Sequence, residues 1–181
     1  MNSKNSLIML CVVGMPGCGK SIFLQVAAEY SYTIISMGDA VRAETTKRGL
    51  PLECHGEVAE ALRKEHGRAA VAYLVADNLK PECIVEGVRG LAEIGVFKEY
   101  YPVEILAIHS SPKTRYKRVK KRQRAGDSET WKEFQERDAR ELEFGIGRVI
   151  ALADHVIINE STKEQLEKEC RTFLDKRGIR I

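Results

Sequence analysis

The sequence lacks the cysteine pattern of a disulfide framework or of a zinc site. Its five cysteines are an odd number, and no two of them stand at CxxC spacing. Small secreted domains usually carry an even set of cysteines joined in disulfides, whereas thiols in the cytosol stay reduced. We therefore expect reduced thiols, a cytoplasmic protein and no zinc held by a cysteine quartet.

The sequence also lacks long apolar runs and a large excess of either charge. No run approaches the roughly 20 apolar residues that span a membrane, and no signal-like apolar segment opens the chain. The formal net charge is only +3, from 29 basic and 26 acidic residues. A charge this small does not by itself indicate a nucleic-acid partner. We expect neither a membrane nor a nucleic acid as partner, and the composition leaves the oligomeric state open.

What the sequence does contain is a series of short apolar runs that alternate with helix-like segments. The runs lie at residues 7–13, 32–36, 82–87, 103–110 and 155–159. Continuous apolar runs that alternate with helices predict parallel strands in a sheet that helices cover on both faces. With 181 residues, we expect a single domain over 1–181 with a three-layer α/β/α fold and a five-stranded parallel sheet.

The helix-like segments predict more than simple connections between strands. A long helical region is expected at about 39–80, with breaks near 49–51 and near Gly67. Pro112 stands where a helix can begin, and another helix is expected at 130–144. Gly145 and Gly147 follow it, and glycines at such a place let a helix bend or pack closely.

Residues that directly follow the predicted strands are the candidates for a binding site. In open sheets of parallel strands, ligands bind at the carboxyl ends of the strands. The residues in these positions are Gly14 and those after it, Gly38, Asp39, Glu86, Gly87, Val88, Arg89, His109, Ser110, Asn159 and Glu160. Among them we assign His109 a structural role.

The residues after the first strand form a phosphate-binding pattern. GMPGCGKS, from Gly14 to Ser21, fits G-x-x-x-x-G-K-[ST]. Glycines let several backbone N–H groups face one anion, and the helix that follows adds the positive end of its dipole. Lys20 supplies a charge for the β- and γ-phosphates, and Ser21 a hydroxyl for Mg²⁺. We therefore expect ATP and Mg²⁺ as ligands, with contacts from Gly14, Pro16, Gly17, Cys18, Gly19, Lys20, Ser21 and Ile22.

Other strand ends carry what a small kinase needs besides this loop. The N-K-x-D motif of a GTPase is absent from the sequence. A kinase needs an acceptor pocket, a carboxylate near the metal, and arginines that neutralise the transferring phosphoryl group. Arg42 and Arg89 suit that role because a guanidinium binds phosphate through two bonds. Glu86 is placed to reach the Mg²⁺ shell through water. Asp39 shares a helix face with Arg42, and capping that helix is its alternative role.

A basic segment at 115–124 predicts a lid. Arg115, Arg118 and Arg122 recur at helical spacing, so one face of this helix is cationic. A polar break at 125–128 leads to the next helix, and that helix carries Arg137 and Arg140. Two helices joined by a hinge, with arginines on facing sides, predict a lid at about 115–140. One alternative is that the arginine face is simply exposed to solvent. Another is that it contacts a nucleic acid, but the acidic residues after the break argue against this.

Taken in order, these segments carry a family resemblance. GMPGCGKS, MGDAVR, VEGVRG, the arginine-rich lid and HVIINES resemble nucleoside-monophosphate kinases of the adenylate kinase type, and are also similar to dephospho-coenzyme A kinases. The segments MGDAVRAET, VEGVRGLAEI, HSSPKTRYKR and ELEFGIGRVIALADHVIIN look most like an archaeal group of adenylate-kinase-related P-loop proteins. The resemblance covers nearly the whole chain.

On the acceptor side, the resemblance implies roles for two arginines. Arg89 takes the place of the arginine that grips the acceptor phosphate in the motif D-G-x-P-R. Glu86 replaces the aspartate of that motif, and its proline is missing. Arg42 matches the arginine of the acceptor-binding helix. With these, Gly38, Asp39 and Gly87 complete the expected acceptor site.

On the donor side, the resemblance implies a lid and an adenine site. Arg118 and Arg122 fall where the lid begins, and Arg137 and Arg140 resemble the pair that ends it and contacts the phosphates. The stretch that begins at Asn159 falls where the last strand and its loop pass the adenine.

We therefore expect a kinase that transfers the γ-phosphoryl group of ATP to a nucleoside monophosphate such as AMP. Two alternatives stay open. In the first, the acceptor group is a hydroxyl, as in dephospho-coenzyme A, and Asp39 serves as the base. In the second, the protein is a nucleotide-binding regulator or assembly factor with negligible turnover.

Overall fold

The computed structural model describes residues 8–123 and 127–177. Its strands each lie inside one of the predicted apolar runs. They are β1 (Met9–Val13), β2 (Ile34–Ser36), β3 (Ile84–Glu86), β4 (Val103–His109) and β5 (His155–Ile158). The predictions for Leu7, at the start of the first run, and for Arg124, Ala125 and Gly126, at the break in the lid, lie outside the described residues.

The strands form one parallel sheet in the order β2-β3-β1-β4-β5. In the central strand, Cys11 pairs with Val85 of β3 and with Ile105 of β4. Every residue of β1 is buried, because helices cover the sheet on both faces, and burial of one Val or Leu side chain contributes about 1.5–3 kcal/mol. The predicted α/β fold with a five-stranded parallel sheet is confirmed.

The helices fall where the sequence predicts helical segments, with one addition. They are α1 (Lys20–Glu29), α2 (Met37–Lys47), α3 (His55–His66), α4 (Ala70–Tyr73), α5 (Leu91–Tyr100), α6 (Pro112–Arg122), α7 (Trp131–Phe144), α8 (Ile146–Ala151) and α9 (Lys163–Lys176). The predicted breaks of the long helical region separate α2 from α3 and α3 from α4. The addition is α8, which the sequence does not separate from α7.

Alternate residues of β1 point into two different cores. Met9, Cys11 and Val13 pack with residues of α2 to α5 and of α8. Leu10 and Val12 pack with residues of α1 and α9 on the other face. Burial in these cores raises the pKa of the Cys11 thiol and takes that of Cys170 to about 12. The buried thiols therefore stay protonated and act as small apolar side chains.

The start of α2 rules out the alternative role of Asp39 as the cap of this helix. Ser36 is the N-cap, and its hydroxyl accepts a hydrogen bond of 3.1 Å from the Asp39 amide. Met37 and Gly38 already belong to the helix, so Asp39 lies too far along the chain to be the cap. The last residue of β2 is thus also the first of the turn into α2, and this places Gly38 at the carboxyl end of the sheet.

In residues 8–123 and 127–177, no helix combines the length and the apolar character needed to cross a membrane.

Candidate active site

The phosphate-binding loop joins β1 to α1 as the sequence predicts, and its backbone is closely packed. Gly19 has φ +108°, and a Cβ there would come within 2.4 Å of the Asn159 side chain. Gly19 also stands at the N-cap of α1, and having no side chain it leaves the first amide groups of the helix for an anion. The Lys20 ammonium donates to the Gly14 carbonyl. The lysine therefore lies folded against the loop that a phosphate would fill.

Asn159, at the end of β5, holds the phosphate-binding loop through a hydrogen bond to its backbone. It is buried, and its side-chain amide donates to the Cys18 carbonyl at 2.8 Å. Arg118 donates at 3.1 Å both to the Asn159 side-chain oxygen and to the Ser161 carbonyl. The hydroxyl of Ser110, also buried, donates to the Asn159 carbonyl at 2.5 Å and lies 3.2 Å from the Cys18 carbonyl. The ends of β4 and β5 thus fix the loop to the first helix of the predicted lid.

At the end of β3, Glu86 is held by a residue of the neighbouring strand. The Ser36 hydroxyl donates to the Glu86 carboxylate at 2.5 Å. Gly87 follows with φ +90°, and a Cβ there would lie 3.4 Å from the Gly38 amide. The close approach of these two backbones brings the carboxyl ends of β2 and β3 together, and no larger residue fits at Gly87 without strain.

Arg89 lies in the cleft with its guanidinium already paired. Its Nε donates to the Glu141 carboxylate of α7 at 2.7 Å, and its Nη1 donates to the Gly87 carbonyl at 3.1 Å. Burial lowers the pKa of Arg89, but the nearby carboxylates, Glu141 first among them, outweigh it and raise that pKa overall. Arg89 is therefore cationic at every physiological pH.

The backbone of Arg89 is fixed by a buried carboxylate. The Glu93 side chain is 1% exposed, and it accepts hydrogen bonds from the amides of Arg89 (2.7 Å) and Gly90 (3.2 Å). Its other oxygen accepts from Arg63 of α3 at 3.0 Å. These three partners of the Glu93 carboxylate are all donors, as a buried charge requires.

Three arginines of the predicted lid, Arg115, Arg122 and Arg137, pair with carboxylates of the same segment. Arg122 donates to Asp127 through two bonds of 2.7 and 2.6 Å, and Arg137 approaches the same aspartate at 3.4 Å. Arg115 does not join a cationic surface. Its side chain is 4% exposed, and it forms a two-bond pair with Asp138 that ties α6 to α7.

These elements enclose a cleft of about 590 Å³. The predicted residues that line it are Gly14, Pro16, Gly17, Cys18, Gly19, Lys20, Ser21, Ile22, Glu86, Gly87, Arg89, Arg118, Arg122, Arg137 and Asn159. A larger groove of about 910 Å³ lies between β5 and α9. It contains none of the phosphate-binding loop, so we place the candidate site in the smaller cleft.

Other predicted residues lie outside this cleft. Asp39 and Arg42 form an exposed ion pair with each other on α2. Gly38 lies beneath them, against Gly87. Arg140 is exposed on α7 and does not line the cleft.

The carboxylate partners of the arginines are what the sequence reading missed. Glu141 holds Arg89, Asp127 and Asp138 hold arginines of the predicted lid, and Glu93 holds Arg63 and the amide of Arg89. For Asp138 and Glu141 the only signal in the sequence was the alternation of acidic residues with arginine in α7, which an exposed helix also shows. Their ion pairs depend on where α7 lies relative to α6 and to the turn after β3, which no local pattern gives.

Comparison with known proteins gives consistent results. Residues 13–135 match the AAA domain family. A UPF0200 protein of Methanocaldococcus jannaschii is 46% identical over 177 residues, which cover 93% of this chain and 88% of the relative. A UPF0200 protein of Thermococcus gammatolerans is 42% identical, with 95% and 97% covered.

Solved structures share the fold at low sequence identity. TT1252 from Thermus thermophilus superimposes with a TM-score of 0.63 at 19% identity, covering 93% of this chain and 97% of that one. A shikimate kinase from Bacteroides thetaiotaomicron gives 0.60 at 13% identity, with 93% and 98% covered. A gluconokinase from Sinorhizobium meliloti gives 0.58 at 16%, with 93% and 91% covered. The fold is therefore that of the small P-loop kinases.

Proposed function

The chain belongs to the AAA domain family and to the UPF0200 proteins, and on this premise we propose that it is a nucleotide kinase. In this proposal it transfers the γ-phosphoryl group of ATP to a nucleoside monophosphate such as AMP. The observation that carries the proposal is the placement of four arginines, Arg89, Arg118, Arg122 and Arg137, in the same cleft as Lys20.

The donor side of the proposal rests on the loop. Backbone N–H groups around Gly19 and the ammonium of Lys20 bind the phosphates of ATP once Lys20 leaves the Gly14 carbonyl. Ser21 and Glu86 offer hard oxygen donors in one cleft, which suits Mg²⁺. Bound there, Mg²⁺ would neutralise charge on the phosphates. Asn159 and the residues after it are proposed to border the adenine.

The acceptor side of the proposal rests on Arg89. An acceptor phosphate held by this guanidinium lies in the cleft that contains the loop, so the two anions meet end to end. A phosphate oxygen attacks the γ-phosphorus as the bond to the bridging oxygen of ADP breaks. The acceptor is already an anion at neutral pH, so the step needs no base, and no covalent enzyme intermediate forms. Arg42, Asp39 and Gly38 are proposed to border the rest of the acceptor.

The alternative with a hydroxyl acceptor has less support. It requires Asp39 as the base, but the Asp39 side chain is 71% exposed and paired with Arg42. The Asp39 carboxylate also lies outside the cleft that contains Lys20. The geometry therefore favours a phosphate acceptor.

The test is coupled measurement of ADP formation with Mg²⁺·ATP and a panel of acceptors. We expect turnover with AMP or another nucleoside monophosphate, well above the rate without acceptor. Turnover with dephospho-coenzyme A alone would replace the proposed reaction by the hydroxyl alternative. Tight binding of ATP with no product from any acceptor would indicate a nucleotide-binding regulator instead.

A further inference from the structure

The guanidinium of Arg89 is occupied by a carboxylate in the position where an acceptor phosphate would bind. Glu141 accepts from Nε at 2.7 Å and approaches Nη2 at 3.4 Å, so both of its oxygens face the same edge of the guanidinium. The Glu141 side chain is 14% exposed and that of Arg89 is 32% exposed. Carboxylate and phosphate present the same pair of oxygens to an arginine. The two groups are therefore alternatives for one edge.

We propose that Glu141 is a specificity residue for the acceptor, because it competes with the acceptor phosphate for Arg89. The inference rests on the proposed function in that the acceptor group is a phosphate. An acceptor gains the Arg89 contact only by displacing Glu141. A small anion such as inorganic phosphate can displace Glu141 only through its charge. A nucleoside monophosphate adds binding energy from contacts of its base and sugar.

Repulsion between like charges favours the displacement. Glu86 and Glu141 line the same cleft as Arg89, and Glu141 is the carboxylate that touches the guanidinium. A phosphate that approached Arg89 while Glu141 stayed in place would lie beside that carboxylate, and the two negative groups would repel each other. Its binding and the departure of Glu141 are therefore coupled.

The fold allows Glu141 to leave while Arg89 stays. The amide of Arg89 is held by Glu93, which is anchored to Arg63 of another helix. Glu141 lies in the last turn of α7, and that helix ends at Gly145, where a Cβ would lie 3.5 Å from the Arg89 carbonyl oxygen. The backbones of the two elements are therefore packed together. The Glu141 carboxylate leaves Arg89 by rotation about its own side-chain bonds, which moves neither backbone.

The first test needs no substrate. Phenylglyoxal modifies accessible guanidinium groups, and the rate at Arg89 is followed by mass mapping of peptides. We expect Glu141→Gln to raise that rate about three- to tenfold, since removing the charge weakens a partly exposed ion pair. Glu143→Gln is the matched control, because Glu143 is exposed on the same helix and does not line the cleft. Equal rates in the wild type and Glu141→Gln would overturn the proposal.

The second test measures AMP binding by calorimetry with a non-hydrolysable ATP analogue present. Glu141→Gln should bind AMP about five- to tenfold more tightly than the wild type, because a charged competitor is gone. The gain should vanish in the Arg89→Ala background. If Glu141→Gln strengthens AMP binding equally with and without Arg89, the carboxylate acts only by repelling AMP and does not compete for Arg89. The proposal is then wrong.

The two tests separate this inference from the proposed function. A response of Arg89 to Glu141→Gln in the first test, together with no AMP binding by any variant, keeps the competition at Arg89 and rejects the nucleoside monophosphate. Inorganic phosphate is then the probe, and it should protect Arg89 from phenylglyoxal more strongly in Glu141→Gln than in the wild type. A lack of such protection would overturn the competition as well.

Discussion

Single carboxylates decide where the arginines of this cleft point. Glu93 fixes the turn that carries Arg89, and Glu141 receives its guanidinium. Arginine stays charged in any setting, so each buried guanidinium needs an acceptor within reach. At this scale the site is a set of ion pairs, and its chemistry depends on which of them a ligand can replace.

Glu93 is the carboxylate whose loss should cost most stability. Its side chain is 1% exposed and pairs with Arg63, which is 11% exposed. Glu93→Gln leaves that guanidinium without a counter-charge, so we expect unfolding free energy to fall by about 3 kcal/mol. Urea unfolding measures the loss. The exposed Glu99→Gln on the same helix should change stability little, and a similar loss there would show that the burial of Glu93 is not the cause.

Lys20 should govern affinity for the donor. Its ammonium donates to the Gly14 carbonyl and lies 3.9 Å from the Cys18 sulfur, and both of these atoms belong to the loop. Lys20→Ala should lower transfer or ATP affinity by at least about a hundredfold, as removal of one preorganised donor to a developing charge does. Calorimetry with ATP and the coupled assay measure the two effects. An ATP affinity and a rate both near those of the wild type would contradict the donor site.

Arg89 should govern affinity for the acceptor rather than for ATP. Arg89→Ala removes the guanidinium proposed to hold the acceptor phosphate, and the expected result is a rise in KM for AMP of about tenfold or more with little change for ATP. The exposed Arg148→Ala is the control. Equal losses for both substrates in Arg89→Ala would remove Arg89 from the acceptor site.

Among the elements, α7 connects α6 to the turn that follows β3. It carries Asp138, which holds Arg115 of α6, and Glu141, which holds Arg89 after β3. Trp131 at its start packs on Tyr116 of α6, with ring centroids 5.2 Å apart. The helix is therefore fixed to α6 by a ring contact and an ion pair, and at its other end Gly145 separates it from α8.

Gly145 is the joint between α7 and α8, and it should not tolerate a side chain. Its φ is +105°, a conformation that costs about 1–2 kcal/mol for a residue with a Cβ. Gly145→Ala should destabilise the protein by that amount. Gly95→Ala, inside α5 with open space around it, should instead stabilise by about 0.5–1 kcal/mol. Thermal unfolding of the two variants measures the expected loss and the expected gain of stability. An equal loss of stability in Gly95→Ala would show that the positive φ of Gly145 is not the cause.

For the whole molecule, ligand binding should tie the two faces of the sheet to one site. The loop belongs to the face covered by α1 and α9, and the helices after β2 and β3 cover the other face. A ligand that contacts both the loop and the helices of the other face therefore stabilises the two cores together against unfolding.

ATP should raise the melting temperature in a way that depends on Lys20. At a hundred times its Kd, a ligand adds about 2.7 kcal/mol, and for a chain of this size this corresponds to roughly 5–10 °C. Differential scanning fluorimetry should show that rise in the wild type and lose it in Lys20→Ala. An equal rise in that variant would place the nucleotide elsewhere.

The sequence by itself determined the parts of this protein that local pattern encodes. Five apolar runs predicted the strands, and GMPGCGKS predicted the loop between β1 and α1, because neighbours along the chain set both burial period and turn geometry. Only the tertiary structure decided which charges meet. Arg89 and Glu141 are 52 residues apart, and Asn159 reaches Cys18 across 141 residues. Such contacts follow from the order of the strands and the packing of α7, and neither is written in any local stretch of the chain.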